Sequence, residues 1–427
     1  MDILLFLLYH IVRGVFITLR RLYWKINGVS SFLAEINRGR HYNKSAQVGT
    51  IIWRGKIIEH NLADEADFLF VHERFAHPRC VLDNDVTLYT ITDNNEAIFV
   101  ETPSNINIYS SDVHPFFYAA QFKHAVRVIK LPFESFTILA NEIGDPKMKI
   151  VLISNTGRCG STLLLQIFES TGQFITISEP DAMTKLALLR MKSGRTPMEE
   201  KTWCQMYKNL VRLQCKPRAG VDIQPAYCIK TRHVCVNDIE VLMAEFPDVH
   251  QIFLYRNILN TTKSMHSITN SYNKIQQYYL PINKVSNTMV NALLPNWAKG
   301  KKFTKSPLSC YILEWGLVMS IYLHHQQNGV RVAAIRYEDI LDSPTEACST
   351  IFKYCNISTE FVSSGVKALC KESQRGSAIM RTDKAAKRME ITVHMKKELN
   401  EILSKMGLPK LDEPCIVSGL ITGHGQL

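Results

Sequence analysis

Apolar side chains dominate the start of the chain. Residues 3–19, ILLFLLYHIVRGVFITL, are broken by His10, Arg13 and Gly14 and followed by Arg20, Arg21 and Lys25. No basic region precedes the run and no small-residue cleavage site follows it, so a cleaved signal peptide is not expected. The run is about as short as a spanning helix can be. Arg13, near its middle, would cost roughly 2.5–3.5 kcal/mol at a bilayer centre. His10, Arg13, Gly14, Arg20 and Arg21 fall near one helical stripe, so an interfacial amphipathic helix competes with a spanning one. Residues 1–28 are therefore expected to form a hydrophobic, membrane-associating helix. If that helix spans, the Arg20/Arg21/Lys25 cluster would hold the rest of the chain in the cytosol.

Residues 29–146 read as strands. AQVGTIIW, DFLFV, VTLYTIT, AIFVET and AVRVIKL are short runs rich in β-branched and aromatic residues. Asp93-Asn94-Asn95, between VTLYTIT and AIFVET, suits a hairpin turn. His72, His77 and Cys80 lie close in sequence, but their spacing fits no tight metal site. A small β-rich domain without readable chemistry is expected here.

From about residue 147 the pattern alternates. MKIVLIS, FITISEP, YCIKTRH, HQIFLYR and VRVAAIRY read as strands. STLLLQIFEST, NDIEVLMAEFP, ILNTTKSMHSI, YILEWGLVMSIYLHHQQN and PTEACSTIFKYC read as helices. A last helix, roughly Glu390 to Met406, should stop at Gly407. Strand–helix alternation points to an α/β fold over 147–427: a P-loop-type parallel sheet flanked by helices.

Composition agrees with a globular protein of two or three domains. The 427 residues are 46% apolar and 21% charged, which excludes a wholly disordered chain. Fifty Lys and Arg against 39 Asp and Glu give +11, favouring anionic partners without choosing among them. No basic-aromatic pattern supports nucleic-acid binding. Eleven scattered Cys with no CxxC pair imply neither a disulfide framework nor a zinc site.

The chemistry concentrates where strand MKIVLIS meets a helix start. Asn155-Thr156-Gly157-Arg158-Cys159-Gly160-Ser161-Thr162 joins the two. Unpaired amides at a helix N-terminus point at an anion, and the helix dipole favours negative charge. Gly157 and Gly160 allow close backbone approach, Ser161 and Thr162 add hydroxyls, and Arg158 adds a fixed cation. A nucleotide triphosphatase loop requires G-x-x-x-x-G-K-[ST]. Here Ser161 follows Gly160 and no magnesium-holding Asp is evident nearby, so that class is disfavoured.

The loop resembles the 5′-phosphosulfate loop of the sulfotransferase family, whose members use 3′-phosphoadenosine-5′-phosphosulfate (PAPS). Arg158-Cys159-Gly160-Ser161-Thr162 is similar to the Arg-Ser-Gly-Ser-[Ser/Thr] form of the Golgi carbohydrate branch. Arg256-Asn257, after strand QIFLYR, with Ser264 eight residues beyond Arg256, resembles the family's 3′-phosphate motif. Ser373-Gln374-Arg375-Gly376-Ser377 resembles the C-terminal loop that closes over the 3′-phosphate, with Arg375 the contact. Arg336 to Leu341 resembles the family's Arg-Tyr-Glu-Asp-Leu run, for which a structural role is expected. Lys230-Thr231-Arg232 stands where cytosolic members carry Lys-Thr-His, so Arg232 replaces their catalytic base. The resemblance covers about 147–410.

The resemblance implies a PAPS-dependent sulfotransferase, with Gly157, Arg158, Cys159, Gly160, Ser161, Thr162, Arg256, Ser264, Arg375 and Gly376 binding the co-substrate. No metal is expected. Arg158 would stabilise charge on the leaving 5′-phosphate. Glu179, in Glu179-Pro180 at the end of FITISEP, is the first candidate for general base or acceptor contact. His233 is the second. The acceptor would be a hydroxyl, on a carbohydrate by analogy with the Golgi branch, and the location an endomembrane lumen. The basic cluster argues instead for the cytosolic face. A non-catalytic nucleotide-binding protein and a P-loop kinase are the alternatives.

Overall fold

The computed structural model describes residues 3–56, 59–193, 196–271, 307–371 and 392–422. The five strand-like runs before residue 147 form β1 (Ala46–Arg54), β2 (Phe68–Ala76), β3 (Val86–Ile91), β4 (Glu96–Glu101) and β5 (Arg127–Pro132). They make one antiparallel sheet in the order β2-β1-β5-β4-β3. The turn between β3 and β4 places Asn95 at φ 60°, a conformation that Asn tolerates. The same stretch also holds helices that its pattern does not announce. These are α2 (Val29–Ile36), α3 (Phe117–His124) and α4 (Phe133–Ile143), following α1 (Ile3–Ile26).

The second sheet is built from β6 (Ile150–Asn155), β7 (Phe174–Ser178), β8 (Ala226–Lys230), β9 (His250–Tyr255) and β10 (Ala333–Arg336). All its pairings are parallel, in the order β10-β9-β6-β8-β7. β6 is central and buried along its whole length, which is why its sequence is a continuous apolar run. Between these strands run α5 (Ser161–Glu169), α6 (Asp181–Lys192), α7 (Pro197–Gln214), α8 (Ile239–Glu245) and α9 (Ile258–Ser271). Helices Pro307–Gln327, Pro344–Tyr354 and Val393–Lys405 complete the cover. The chain leaves β6 toward β7 and β8 on one side and later toward β9 on the other. A crevice opens at such a switch, at the carboxyl ends of the strands.

The two sheets share one core. Val48, Leu88, Phe99 and Ile129 of the antiparallel sheet belong to the same buried cluster as Leu152, Ile229 and Phe253 of the parallel one. Polar ties add to it. Lys216, just beyond α7, donates to the carbonyls of Val81, Asp83 and Val86 at 2.5, 2.7 and 2.6 Å. Burial draws this amine down to about 7, while the three acceptors match the three N–H groups of the ammonium form.

α1 lies along the molecule. Tyr9 is fully buried and donates its hydroxyl to Ala66 O at 2.6 Å. No helix among the described residues is long and apolar enough to cross a membrane.

Candidate functional site

β6 ends in Asn155, and the loop that follows is wound tightly. Gly157, Arg158 and Gly160 all have positive φ, at 72°, 51° and 85°. Asn155 organises the loop: its Oδ1 accepts from Gly157 N at 2.9 Å and its Nδ2 donates to Thr231 O at 2.7 Å. Gly160 precedes α5, whose N-terminus has no side-chain cap. The first amides of α5 are thereby left to a ligand. Ser161 and Thr162 begin the helix and are buried. Cys159 is fully buried, and burial first of all raises its thiol, so it packs rather than reacts.

Both glycines are required, for different reasons. A Cβ on Gly157 would meet its nearest neighbour, Met265 Cε, at 3.4 Å, so there the backbone angle is the constraint. A Cβ on Gly160 would stand 2.1 Å from the Tyr337 ring, which occupies that space. Tyr337 also lies under Arg256, whose guanidinium sits 4.7 Å from the ring centroid. In the run from Arg336 to Leu341 the tyrosine thus packs between the loop and Arg256.

The two phosphate motifs meet. Arg158 Nε donates to Ser264 Oγ at 3.1 Å, across 106 residues of chain. Ser264 projects from α9, directly after the β9 end that carries Arg256. Arg256 is half-buried; its Nε is inaccessible to solvent and has no hydrogen-bond partner among the described residues. A buried, unpaired guanidinium nitrogen is what an anionic ligand would satisfy. Around it, Trp315 Nε1 donates to Arg256 O at 3.1 Å, and Asn257 N donates to Glu338 Oε1 at the same distance. Arg375 and Gly376 lie outside the described residues, as does most of the stretch from 270 to 310.

The end of β7 and the end of β8 form a charged cluster. Glu179 is left-handed at φ 58°, and its N–H donates to Lys230 O at 2.6 Å. Its carboxylate pairs with the buried Lys230 ammonium, and Arg232 Nε lies 3.6 Å away. Burial pushes the Glu179 carboxyl up, but Lys230 and Arg232 outweigh it and hold it below the usual range. Arg232 pairs with Asp181 at 2.8 Å, donates to His60 O at 3.1 Å and sits 4.3 Å over the Tyr118 ring. Burial alone would lower its pKa, but Asp181, Tyr118 and Glu179 raise it, so it stays charged. Arg232 is thus a cation that fastens the two sheets together.

His233, the next residue, takes a different environment. Its Nδ1 lies 3.6 Å from the point where a Gly157 Cβ would stand, so the ring borders the phosphate loop. On its other side Nε2 lies 2.5 Å from Glu314 Oε1, off the line of an ideal N–H···O bond. Glu314 comes from helix Pro307–Gln327, one residue before Trp315. An imidazole held by a carboxylate beside an anion loop is a general-base arrangement. Glu314 is not singled out in the sequence, and Tyr337 enters there only as part of the run from Arg336 to Leu341. Glu314 sits inside a long apolar helix, and an intruding carboxylate there was the available signal.

No family model matches the chain, and no curated protein resembles it in sequence. Among solved structures it is similar to a sulfotransferase from Alicyclobacillus acidocaldarius, at 13% identity and TM-score 0.34, over 61% of this chain and 92% of that one. It is also similar to the sulfotransferase STF9 from Mycobacterium avium, at 11% identity and TM-score 0.34, over 62% and 77%. Likeness at that level leaves the functional reading to the residues of the site.

Proposed function

We infer that this chain transfers a sulfuryl group from PAPS to an acceptor hydroxyl. The observation that supports this most is the junction of the two anion motifs, Arg158 Nε on Ser264 Oγ, together with an Arg256 Nε that is buried and unpaired among the described residues. A loop with uncapped helix amides supplies one anion site, and Arg256 with Ser264 supplies a second. PAPS carries a 5′-phosphosulfate and a 3′-phosphate, and two such sites would receive them. The absent P-loop lysine weighs against a kinase.

In this reading PAPS supplies the sulfuryl group. The α5 amides, Ser161, Thr162 and Arg158 hold the 5′-phosphate and stabilise the charge it gains as its bond to sulfur breaks. His233, oriented by Glu314, takes the proton from the acceptor hydroxyl as the new oxygen–sulfur bond forms. Arg256 and Ser264 hold the 3′-phosphate, with Arg375 and Gly376 closing over it. Glu179 stays ionised and serves as a contact for the acceptor. The acceptor we propose is a carbohydrate hydroxyl, from the resemblance of the loop and of Glu179-Pro180 to the Golgi branch, and the location an endomembrane surface: the lumen by that resemblance, or the cytosolic face if α1 lies on an anionic leaflet. Protease protection of the catalytic domain in sealed microsomes tests the location; digestion there would place it in the cytosol.

Calorimetry tests the site. Arg256→Ala should weaken PAPS binding roughly ten- to hundredfold, the worth of one charge-assisted contact. Binding of an analogue without the 3′-phosphate should change little; equal losses for both ligands would refute the assignment. Turnover of labelled PAPS on a glycan panel then separates an enzyme from a nucleotide-binding protein. Tighter binding of ATP than of PAPS would favour the kinase.

A further inference from the structure

α1 is fastened to the molecule by one face and uncovered on the other. On the fastened face Tyr9 bonds to Ala66 O, and Arg20 donates to Phe70 O at 3.0 Å. The Arg20 guanidinium lies 4.5 Å from the ring centroids of both Trp24 and Phe70. Trp24 itself is buried. On the opposite face an apolar row runs from Leu4 through Leu8, Ile11, Val15 and Leu22 to Ile26. These side chains are 48–75% exposed. The intervals of three, four and seven residues put them on one stripe of the helix.

This is the reverse of an ordinary surface helix, which turns its apolar stripe inward. A 24-residue helix is about 36 Å long, so the exposed stripe runs nearly the whole length of α1, and a contiguous apolar surface of that kind marks an interaction site. The helix cannot be ringed by lipid, because Tyr9, Arg20 and Trp24 tie its other face to a folded sheet. It can lie on a bilayer.

Charge identifies the bilayer. Residues 3–26 contain no Asp or Glu. Arg21 and Lys25, both exposed, border the stripe on one side, and the exposed Tyr23 borders it on the other. An apolar stripe edged with cations complements a surface of anionic headgroups, and an aromatic edge suits the headgroup boundary. A second copy of this helix would bring cations without any acid to pair them.

We propose that α1 is an in-plane membrane dock whose Leu4–Ile26 stripe enters the interface of an anionic bilayer while its other face stays fixed to the antiparallel sheet. The proposal stands on α1 and is independent of the reaction assigned to the phosphate loop.

The test is co-sedimentation of the full-length protein with phosphatidylcholine–phosphatidylserine vesicles and with phosphatidylcholine vesicles. The wild type should partition to the anionic vesicles. Arg21→Gln and Lys25→Gln should each weaken that partition about fivefold. The triple variant Ile11→Glu/Val15→Glu/Leu22→Glu should abolish it. All five positions are exposed, so unchanged circular dichroism and an unchanged melting temperature should accompany these losses. Wild-type protein left in the supernatant with both vesicles overturns the proposal, and so does a triple variant that still sediments. Equal partition to both vesicle types overturns the anionic assignment. A wild-type dimer that the triple variant dissociates, seen by ultracentrifugation without vesicle binding, would give the face to a second copy.

Discussion

Glu179 holds its charge between Lys230 and Arg232, and that fixes what it can do. A carboxylate kept below its usual range is a poorer proton acceptor than a free one. His233 faces the loop and has a carboxylate behind it, so the proton falls to the imidazole. We expect His233→Ala to lower kcat by roughly 10²–10⁴, the usual worth of a general base. Glu314→Gln should lower kcat less and leave KM for PAPS unchanged, because Glu314 acts through the ring. Glu179→Gln should act on stability instead. It strands the buried Lys230 ammonium, at roughly 3–5 kcal/mol, read from denaturant unfolding. A stable Glu179→Gln protein without turnover, beside an active His233→Ala, would return the base to Glu179. The sequence brought both residues to notice. It put Glu179 first, without sight of the charges that hold it, because Lys230 and Arg232 lie more than fifty residues from Glu179.

At the scale of elements, the phosphate loop works as a wedge between β6 and α5, and Gly160 is its tightest point. Gly160→Ala would set a methyl 2.1 Å from the Tyr337 ring at φ 85°. Gly157→Ala meets only the backbone strain, of order 1–2 kcal/mol. We expect Gly157→Ala to fold with a lowered melting temperature. Gly160→Ala should displace Tyr337, loosen Arg256 and lose PAPS binding. Adding Tyr337→Ala to Gly160→Ala should recover folding but not affinity, since the ring under Arg256 is then missing; recovered affinity would mean that the ring plays no part. The strands of both sheets were readable from their runs, and so was the Asp93–Asn95 turn. α6 and α7 were passed over. For α7 the signal was present: Thr196 and Glu199 make a reciprocal capping box around Pro197. α3 gave no such signal, because it has no side-chain cap and its short aromatic run reads equally well as a strand.

Across the whole molecule, the antiparallel sheet is tied to the parallel one by polar groups, and among them the half-buried His60, whose carbonyl accepts from Arg232, has a side chain that titrates. Burial, and then the nearby Arg232 charge, draws its imidazole down to about 4; its Nδ1 lies 2.6 Å from the Tyr118 hydroxyl. The folded pKa lies below the unfolded one, so the unfolded chain binds more protons in between. The stabilisation is complete above about pH 6.5 and is lost as pH falls toward about 4, at roughly 3 kcal/mol in all. Urea midpoints for wild type should fall across that window. His60→Asn, which keeps an acceptor for Tyr118, should give a flatter profile. Parallel profiles for the two proteins would remove His60 from the account. Because the sheets share a core, a single unfolding transition should report on both.

What the sequence determined by itself is local. Continuous apolar runs set the parallel strands, and short runs rich in β-branched and aromatic residues the antiparallel ones. Gly157, Gly160 and the helix start behind β6 defined an anion loop, because close backbone approach and free amides need no distant partner. The spacing of Arg256 and Ser264 on a strand end and the following helix was legible for the same reason. The tertiary structure decided everything that depends on residues far apart in the chain. It joined Arg158 to Ser264, set Tyr337 between Gly160 and Arg256, and paired His233 with Glu314. It spent Arg232 on Asp181 and His60 rather than on catalysis. It also turned the apolar stripe of α1 outward, since the side of a helix that faces the protein is chosen by the surface it meets: here Tyr9, Arg20 and Trp24 pack toward the antiparallel sheet, and Ile11, Val15 and Leu22 stay exposed.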